Sequence, residues 1–171
     1  GDAVVKNLDV SGDVSYHCTW YASSATVGGI AAYLMGENGE MPIIDNCSFT
    51  GNIYASGQVS INNNQMQSIA GGIVGYMRNS HVKNCSFNGG TIEASNINSS
   101  GSITRANAGG IVGIMNYNTT LVNCYSKGGG VISAIDSSEN YAGGIAGNVQ
   151  ENNNTVMLCY NSIDISASPE V

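Results

Sequence analysis

The sequence predicts an all-β fold, a single parallel β-helix of about five coils, each about 35–40 residues long with three short strands. Three observations predict it. Three short apolar phrases recur in the same order along the chain. Glycine and asparagine, not charge, punctuate them. Apolar residues at equivalent positions of successive repeats match in size.

The first phrase reads Val27-Gly28-Gly29-Ile30-Ala31-Ala32-Tyr33 and returns as Ala70–Tyr76, Ala108–Ile114 and Ala142–Asn148. The second Gly of each pair falls at positions 29, 72, 110 and 144. The second phrase is Ile44-Asp45-Asn46-Cys47-Ser48-Phe49, with copies at Val82–Phe87 and Leu121–Tyr125. Degraded copies stand at Val5–Val10 and Val156–Tyr160. The third phrase is Ile53-Tyr54-Ala55, matched by Val14–Tyr16, Ile92–Ala94, Ile132–Ala134 and Ile165–Ala167. Each phrase is short, β-branched or aromatic, and bounded by Gly, Asn or Ser, which is how strands read. Helical spacing of apolar residues is absent, and this many Gly and Asn would weaken a helix.

In a stacked solenoid, equivalent residues lie roughly 4.8 Å above one another, so inward columns must agree in size and polarity. They do. The columns are Ile30/Ile73/Ile111/Ile145, Leu34/Met77/Met115/Val149, Val5/Ile44/Val82/Leu121/Val156, Leu8/Cys47/Cys85/Cys124/Cys159 and Val14/Ile53/Ile92/Ile132/Ile165. The small column Ala32/Gly75/Gly113/Gly147 leaves room for a bulky side chain from another wall. Asn7, Asn46, Asn84 and Asn123 recur before the Leu/Cys column; Asn tolerates left-handed backbone angles and can bond from rung to rung. Gly12, Gly51, Gly89 and Gly128 follow and turn the chain again. The last repeat breaks both patterns at Leu158 and Ile163. Variable segments at Gly57–Ser68, Asn96–Asn107, Asp136–Asn140 and Met35–Pro42 are expected to emerge as loops. Residues 1–171 are read as one solenoid domain. Parallel crossovers prefer the right hand, which makes a right-handed coil the expectation.

Composition narrows the function classes. Net charge is −7 with five Lys+Arg, so no basic patch can track a phosphate backbone and nucleic acid is not an expected partner. No apolar run is long enough to span a membrane. Charged residues make up 10% of the chain, and Asn, Ser, Gly and Thr replace them.

The phrases AGGIVGYM (Ala70–Met77), NCSF (Asn84–Phe87) and GTIEAS (Gly90–Ser95) resemble the GLUG repeat of large bacterial surface proteins and some surface peptidases. The resemblance covers nearly the whole chain in four or five copies. It implies an accessory, adhesive or stalk-like region, and it carries no catalytic residues to transfer. Ala32 stands where the repeat has its last Gly, and the fit is weakest at Leu158. The resemblance, the low charge and a first strand that begins mid-repeat lead to an expected module of a longer protein at the bacterial surface or outside the cell. Without polar caps, its open strand edges would favour end-to-end self-association.

Chemistry is sought in the outward columns. No catalytic residues are expected: Asp9, Asp45, Glu93, Asp136, Glu139, Glu151 and Asp164 sit in different phrases, whereas polysaccharide-cleaving β-helices cluster their carboxylates. Asp45 has Lys6 and Lys83 as column mates, which reads as a surface charge pair. Neither a metal nor a cofactor is expected. Glu37 and Glu40 could hold a cation with Asp45, yet read more simply as a solvated loop, and the Ca²⁺ loop patterns are absent. His17 and His81 fall outside the Cys column, and zinc spacing is lacking. The four stacked cysteines read as small buried hydrophobes, since parallel Cβ vectors suit a disulfide poorly. Cys18, beside Trp20, reads as packed under a loop or a thiol. The candidate binding residues are Tyr33 with Tyr76 and Tyr125 with Tyr160, two outward aromatic ladders able to face a glycan or a host or cell-surface protein. Two rival readings remain, a carbohydrate-active β-helix enzyme (a polysaccharide lyase or glycoside hydrolase) and a passive spacer.

Overall fold

The computed structural model describes residues 2–19, 24–58, 66–97, 104–136 and 138–168. The first coil holds β1 (Val4–Lys6), β2 (Asp9–Ser11), β3 (Val14–Cys18), β4 (Ala25–Gly28) and β5 (Ala31–Met35). The second holds β6 (Ile43–Asp45), β7 (Ser48–Thr50), β8 (Ile53–Gln58), β9 (Met66–Gly71) and β10 (Val74–Arg78). The third holds β11 (Ser80–Lys83), β12 (Ser86–Phe87), β13 (Ile92–Ile97), β14 (Thr104–Gly109) and β15 (Val112–Met115). The fourth holds β16 (Thr119–Val122), β17 (Tyr125–Ser126), β18 (Val131–Ile135), β19 (Glu139–Gly143) and β20 (Ala146–Val149). A partial fifth coil adds β21 (Thr155–Met157), β22 (Tyr160–Asn161) and β23 (Asp164–Ser168).

Corresponding strands pair in parallel from coil to coil and form five walls, ordered β1-β6-β11-β16-β21, β2-β7-β12-β17-β22, β3-β8-β13-β18-β23, β4-β9-β14-β19 and β5-β10-β15-β20. The register is that of the sequence columns: Val5 pairs with Ile44, Val82 with Leu121, and Ile53 with Ile92. The parallel solenoid is thus the observed fold.

Each coil has five strands where the phrases suggest three, and the reasons are local. In the asparagine phrase, Asn46, Asn84 and Asn123 take φ values of 53°, 55° and 53°, so the chain turns at each and one expected strand becomes two. The Gly pair does not open a strand. It forms the corner between β9 and β10 and its counterparts, because a Cβ on Gly72 would strike the Gly110 carbonyl of the next coil and approach Phe87 Cβ to 2.8 Å. The stretches before each Gly pair, expected as loops, end in strands β9, β14 and β19. Their mixed residues (Ser68, Asn107, Asn140) hide the period of two. The loop expectations over 59–65, 98–103 and 137, and Trp20, lie outside the described residues.

The interior is continuous through coils two to four. Ile44, Ile53, Ile73, Met77, Val82, Ile92, Ile111, Met115, Leu121 and Ile132 are wholly buried. Phe49 and Phe87 stack in one column, centroids 6.3 Å apart and planes 12° from parallel. That column continues as Ser126 and Asn161. There the Ser126 hydroxyl lies 2.6 Å from both the Gly144 carbonyl and Asn161 Oδ1, so hydrogen bonds replace the aromatic stack. At the small column, a Cβ on Gly113 would come within 2.6 Å of Ile69 Cγ2 on β9 of the adjoining wall, and one on Gly75 within 2.7 Å of Thr26 Cγ2. At the two ends the same columns are open. Val5 and Leu8 in the first coil, and Val149, Val156 and Ile165 at the far end, are exposed where their equivalents are buried. These five therefore depart from the expected core because no further rung covers them among the described residues.

Candidate functional site

The outer surface is organised by rung-to-rung polar ladders. Asn46 Nδ2 donates to Asn7 Oδ1 and Asn123 Nδ2 to Asn84 Oδ1, both at 2.8 Å. Between them, Asn84 Nδ2 donates to Asp45 Oδ1 at 2.8 Å and interrupts the asparagine run. Asp45 lies 3.6 Å from the Lys6 ammonium and 3.8 Å from that of Lys83, as the column mates predict. The Asn84 bond, with the two lysines, holds its carboxyl below the usual range.

Other acids are engaged in the same way. Asp9 accepts from Ser48 Oγ at 2.6 Å, and Asp13 accepts from the Asn52 backbone at 2.9 Å and its side chain at 3.0 Å. Glu139 pairs with Arg105 and accepts from Tyr141 Oη at 3.1 Å, and both lower its pKa. Asp136 is wholly buried. It accepts from Asn96 Nδ2 and Thr104 Oγ1 at 2.6 Å and from the Ser138 amide at 2.7 Å, while Ser68 Oγ donates to Asn96 Oδ1 at 2.6 Å. Three neutral donors thus bond one buried carboxyl group, and Ser68 extends the network through Asn96. Sequence reading placed Asp136 in a loop. The missed signal is its column, which runs Cys18, Gly57, Asn96 and then Asp136 and becomes polar only in the later coils. Among the described residues, no group of three His, Cys, Asp or Glu could hold a metal ion. Glu37 and Glu40 sit in an exposed turn closed by the Glu40 amide donating to the Glu37 carbonyl at 3.0 Å.

The stacked cysteines are thiols, not bridges. Each donates to the carbonyl two residues back: Cys47 to Asp45 at 3.4 Å, Cys85 to Lys83 at 3.0 Å, Cys124 to Val122 at 3.3 Å and Cys159 to Met157 at 3.2 Å. Burial pushes the Cys47 thiol up, and the bond to the Cys85 thiol together with burial pushes Cys124 up. Cys18 is buried as well.

The four tyrosines form two separate pairs. Tyr33 and Tyr76 stand opposite each other on β5 and β10, centroids 6.0 Å apart and tilted by 51°. Tyr33 is 53% exposed, and its phenol donates to Thr26 Oγ1 at 3.0 Å. Tyr76 is half-buried, and burial raises its phenol pKa. The column continues as Ile114 and Asn148, so the aromatic run ends after two rungs. Tyr125 and Tyr160 stand on β17 and β22, centroids 5.2 Å apart and 10° from parallel. The Lys127 ammonium lies 4.8 Å from the Tyr125 ring centroid, a contact the sequence reading missed. Tyr160 is 54% exposed. One pair occupies the first two coils of one wall and the other the last two coils of another, so the structure does not bring all four together. Near-parallel rings in a ladder turn their edges outward.

The family model described as "The GLUG motif" matches residues 23–54 and 67–93. No curated protein matches the chain in sequence. Among solved structures, the chain is similar to the crystal structure of a putative immunoglobulin A1 protease from Bacteroides ovatus. The two are 23% identical with a TM-score of 0.61, over 96% of this chain and 50% of that one. The chain therefore spans about half the length of that structure, and the likeness is one of fold.

Proposed function

We propose that this GLUG-motif solenoid is a non-catalytic repeat module of a bacterial surface protein, acting outside the cell, that recognises a glycan or a host or cell-surface protein through its tyrosine pairs. The observation that carries the reading is the division of labour among polar side chains. Asp9, Asp13, Asp45, Asp136 and Glu139 are each held by a neighbour in the wall. General acid–base chemistry needs a carboxylate within reach of the bond it breaks, and these are engaged in holding rungs together. Tyr33 and Tyr160, by contrast, are large amphipathic surfaces that remain more than half exposed, the kind of group that supplies contact area at a recognition site.

A passive spacer is the second reading. It draws on the Tyr33–Thr26 bond and the Lys127–Tyr125 contact, which give two of the aromatic groups a structural partner. A screen of the purified domain against immobilised polysaccharides and extracellular matrix proteins separates the two, with a reducing-end release assay alongside. Saturable binding without release supports the recognition module. A well-folded domain that binds nothing leaves the spacer, and release of reducing ends overturns the non-catalytic reading.

A further inference from the structure

The chain contains the dipeptide Asn-Gly twice, at Asn38-Gly39 and at Asn88-Gly89. In an Asn-Gly pair the glycine nitrogen can attack the asparagine side-chain carbonyl, because no Cβ on the glycine crowds the approach. The attack needs the backbone between the two residues to turn. The structure sets the two copies in opposite surroundings.

Asn38-Gly39 forms the tip of the insertion that follows β5, and residues 37–40 are all exposed. Asn38 and Gly39 have φ values of 54° and 86°, and the Glu40 amide donates to the Glu37 carbonyl at 3.0 Å, which makes a type I′ turn. Among the described residues, neither the Asn38 side chain nor the Gly39 amide makes a hydrogen bond. A Cβ placed on Gly39 would meet nothing within 4 Å. The base of the insertion is fixed. There the Gly36 amide donates to the Arg78 carbonyl at 3.0 Å, Asn79 Nδ2 to the Gly36 carbonyl at 3.1 Å, and the Met41 amide to Asp2 Oδ1 at 2.7 Å. The tip can thus turn without breaking a rung. Asn88-Gly89 is clamped between coils instead. The Asn88 amide donates to the Phe49 carbonyl at 2.9 Å, the Gly51 amide to the Gly89 carbonyl at 3.0 Å, and the Gly90 amide to the Gly129 carbonyl at 2.8 Å. Asn88 Oδ1 is buried as well. Turning this backbone breaks bonds to the second and fourth coils.

We infer that Asn38 is a site of spontaneous deamidation in the native protein and that Asn88 is protected from it. The Gly39 nitrogen loses its proton and bonds to Asn38 Cγ. The bond from Cγ to the side-chain nitrogen breaks, and ammonia leaves with that proton. Water then opens the cyclic imide at either carbonyl, giving aspartate or isoaspartate at position 38. Water enters, ammonia departs and no electrons change hands. The product places a third carboxylate between Glu37 and Glu40, at a tip whose anchoring bonds stay intact.

The test holds the domain at physiological pH and temperature, native and in urea, and follows both asparagines by peptide mapping with mass spectrometry. In urea the two convert at similar rates, since the dipeptide is the same. In the native protein Asn38 converts at least about ten-fold faster than Asn88, because an exposed tip opens at almost no cost whereas a core rung opens at a cost approaching the global stability. Asn38→Gln removes the fast conversion and leaves the urea unfolding midpoint unchanged. Equal rates at the two sites in the native protein, with circular dichroism showing it folded, overturn the inference. Conversion of both sites in urea with none at Asn38 in the native protein also overturns it, because the turn then protects its asparagine.

Discussion

At the residue scale, the asparagine column shows how far chemistry can be read from spacing. Asn7, Asn46, Asn84 and Asn123 were legible as turn residues and hydrogen-bonding rungs, and their positive φ values and ladder follow. Leu158 occupies the same place in the last coil with φ 54° and 83% of its surface exposed. A leucine there bears the left-handed penalty of about 1–2 kcal/mol with no burial to offset it. Leu158→Asn should therefore raise stability by about 1 kcal/mol in urea unfolding, whereas a drop would mean that Leu158 packs on something in solution. Asp136 makes the opposite case. Its role was illegible because a buried carboxylate without a cation has no signature in one repeat. Asp136→Ala leaves Asn96 Nδ2 and Thr104 Oγ1 short of an acceptor in the interior, and a loss of about 3 kcal/mol is expected by the same measurement. The thiols add a kinetic check. Cys47, Cys85 and Cys124, at most 2% exposed, should resist alkylation in the native protein, and the partly exposed Cys159 should react ahead of them.

At the scale of the element, the β-rich character and the repeat order were legible because apolar columns must match to stack. The number of strands was not. Whether an Asn or a Gly pair sits inside a strand or at a corner depends on the next coil's backbone, which a single repeat does not reveal. The Gly pair is the clearest instance. Gly72→Ala drives a methyl into the Gly110 carbonyl and against Phe87, and overpacking of this kind costs about 3 kcal/mol. Gly129→Ala meets open space, and its stability should stay within about 0.5 kcal/mol of the parent, as for an ordinary surface change. Equal effects at the two sites, read from thermal unfolding, would contradict the corner assignment. Of the candidate site, the two tyrosine columns were legible. The Lys127 contact and the separation of the pairs were not, because both depend on the path of the walls.

At the scale of the whole molecule, stability is a sum of coils and the interfaces between them. Interior coils bury their columns on both sides and the end coils on one, so amide exchange should be slowest in β11–β15 and fastest in β1–β3 and β21–β23. The charge ladders add a pH dependence. Asp45 and Glu139 have pKa values depressed from the ordinary 3.8 and 4.5 by their folded-state partners. A depressed acid contributes stability above its unfolded pKa and loses it as pH falls through the folded one. Denaturation midpoints should hold from neutrality to about pH 4.5 and fall below that. Asp45→Asn, which removes one of the two groups, should fall less steeply.

The central claim is that the exposed tyrosine pairs, not a catalytic cluster, are what this solenoid presents to its surroundings. The most direct measurement is a binding isotherm for the best glycan or protein hit with the parent domain and with a variant carrying Tyr33→Ser, Tyr76→Ser, Tyr125→Ser and Tyr160→Ser, each verified as folded by circular dichroism. Saturable binding that falls at least ten-fold in the variant, the scale expected when aromatic anchors are removed, is the predicted result. Binding of equal affinity in both proteins would contradict the claim and move recognition to another part of the surface.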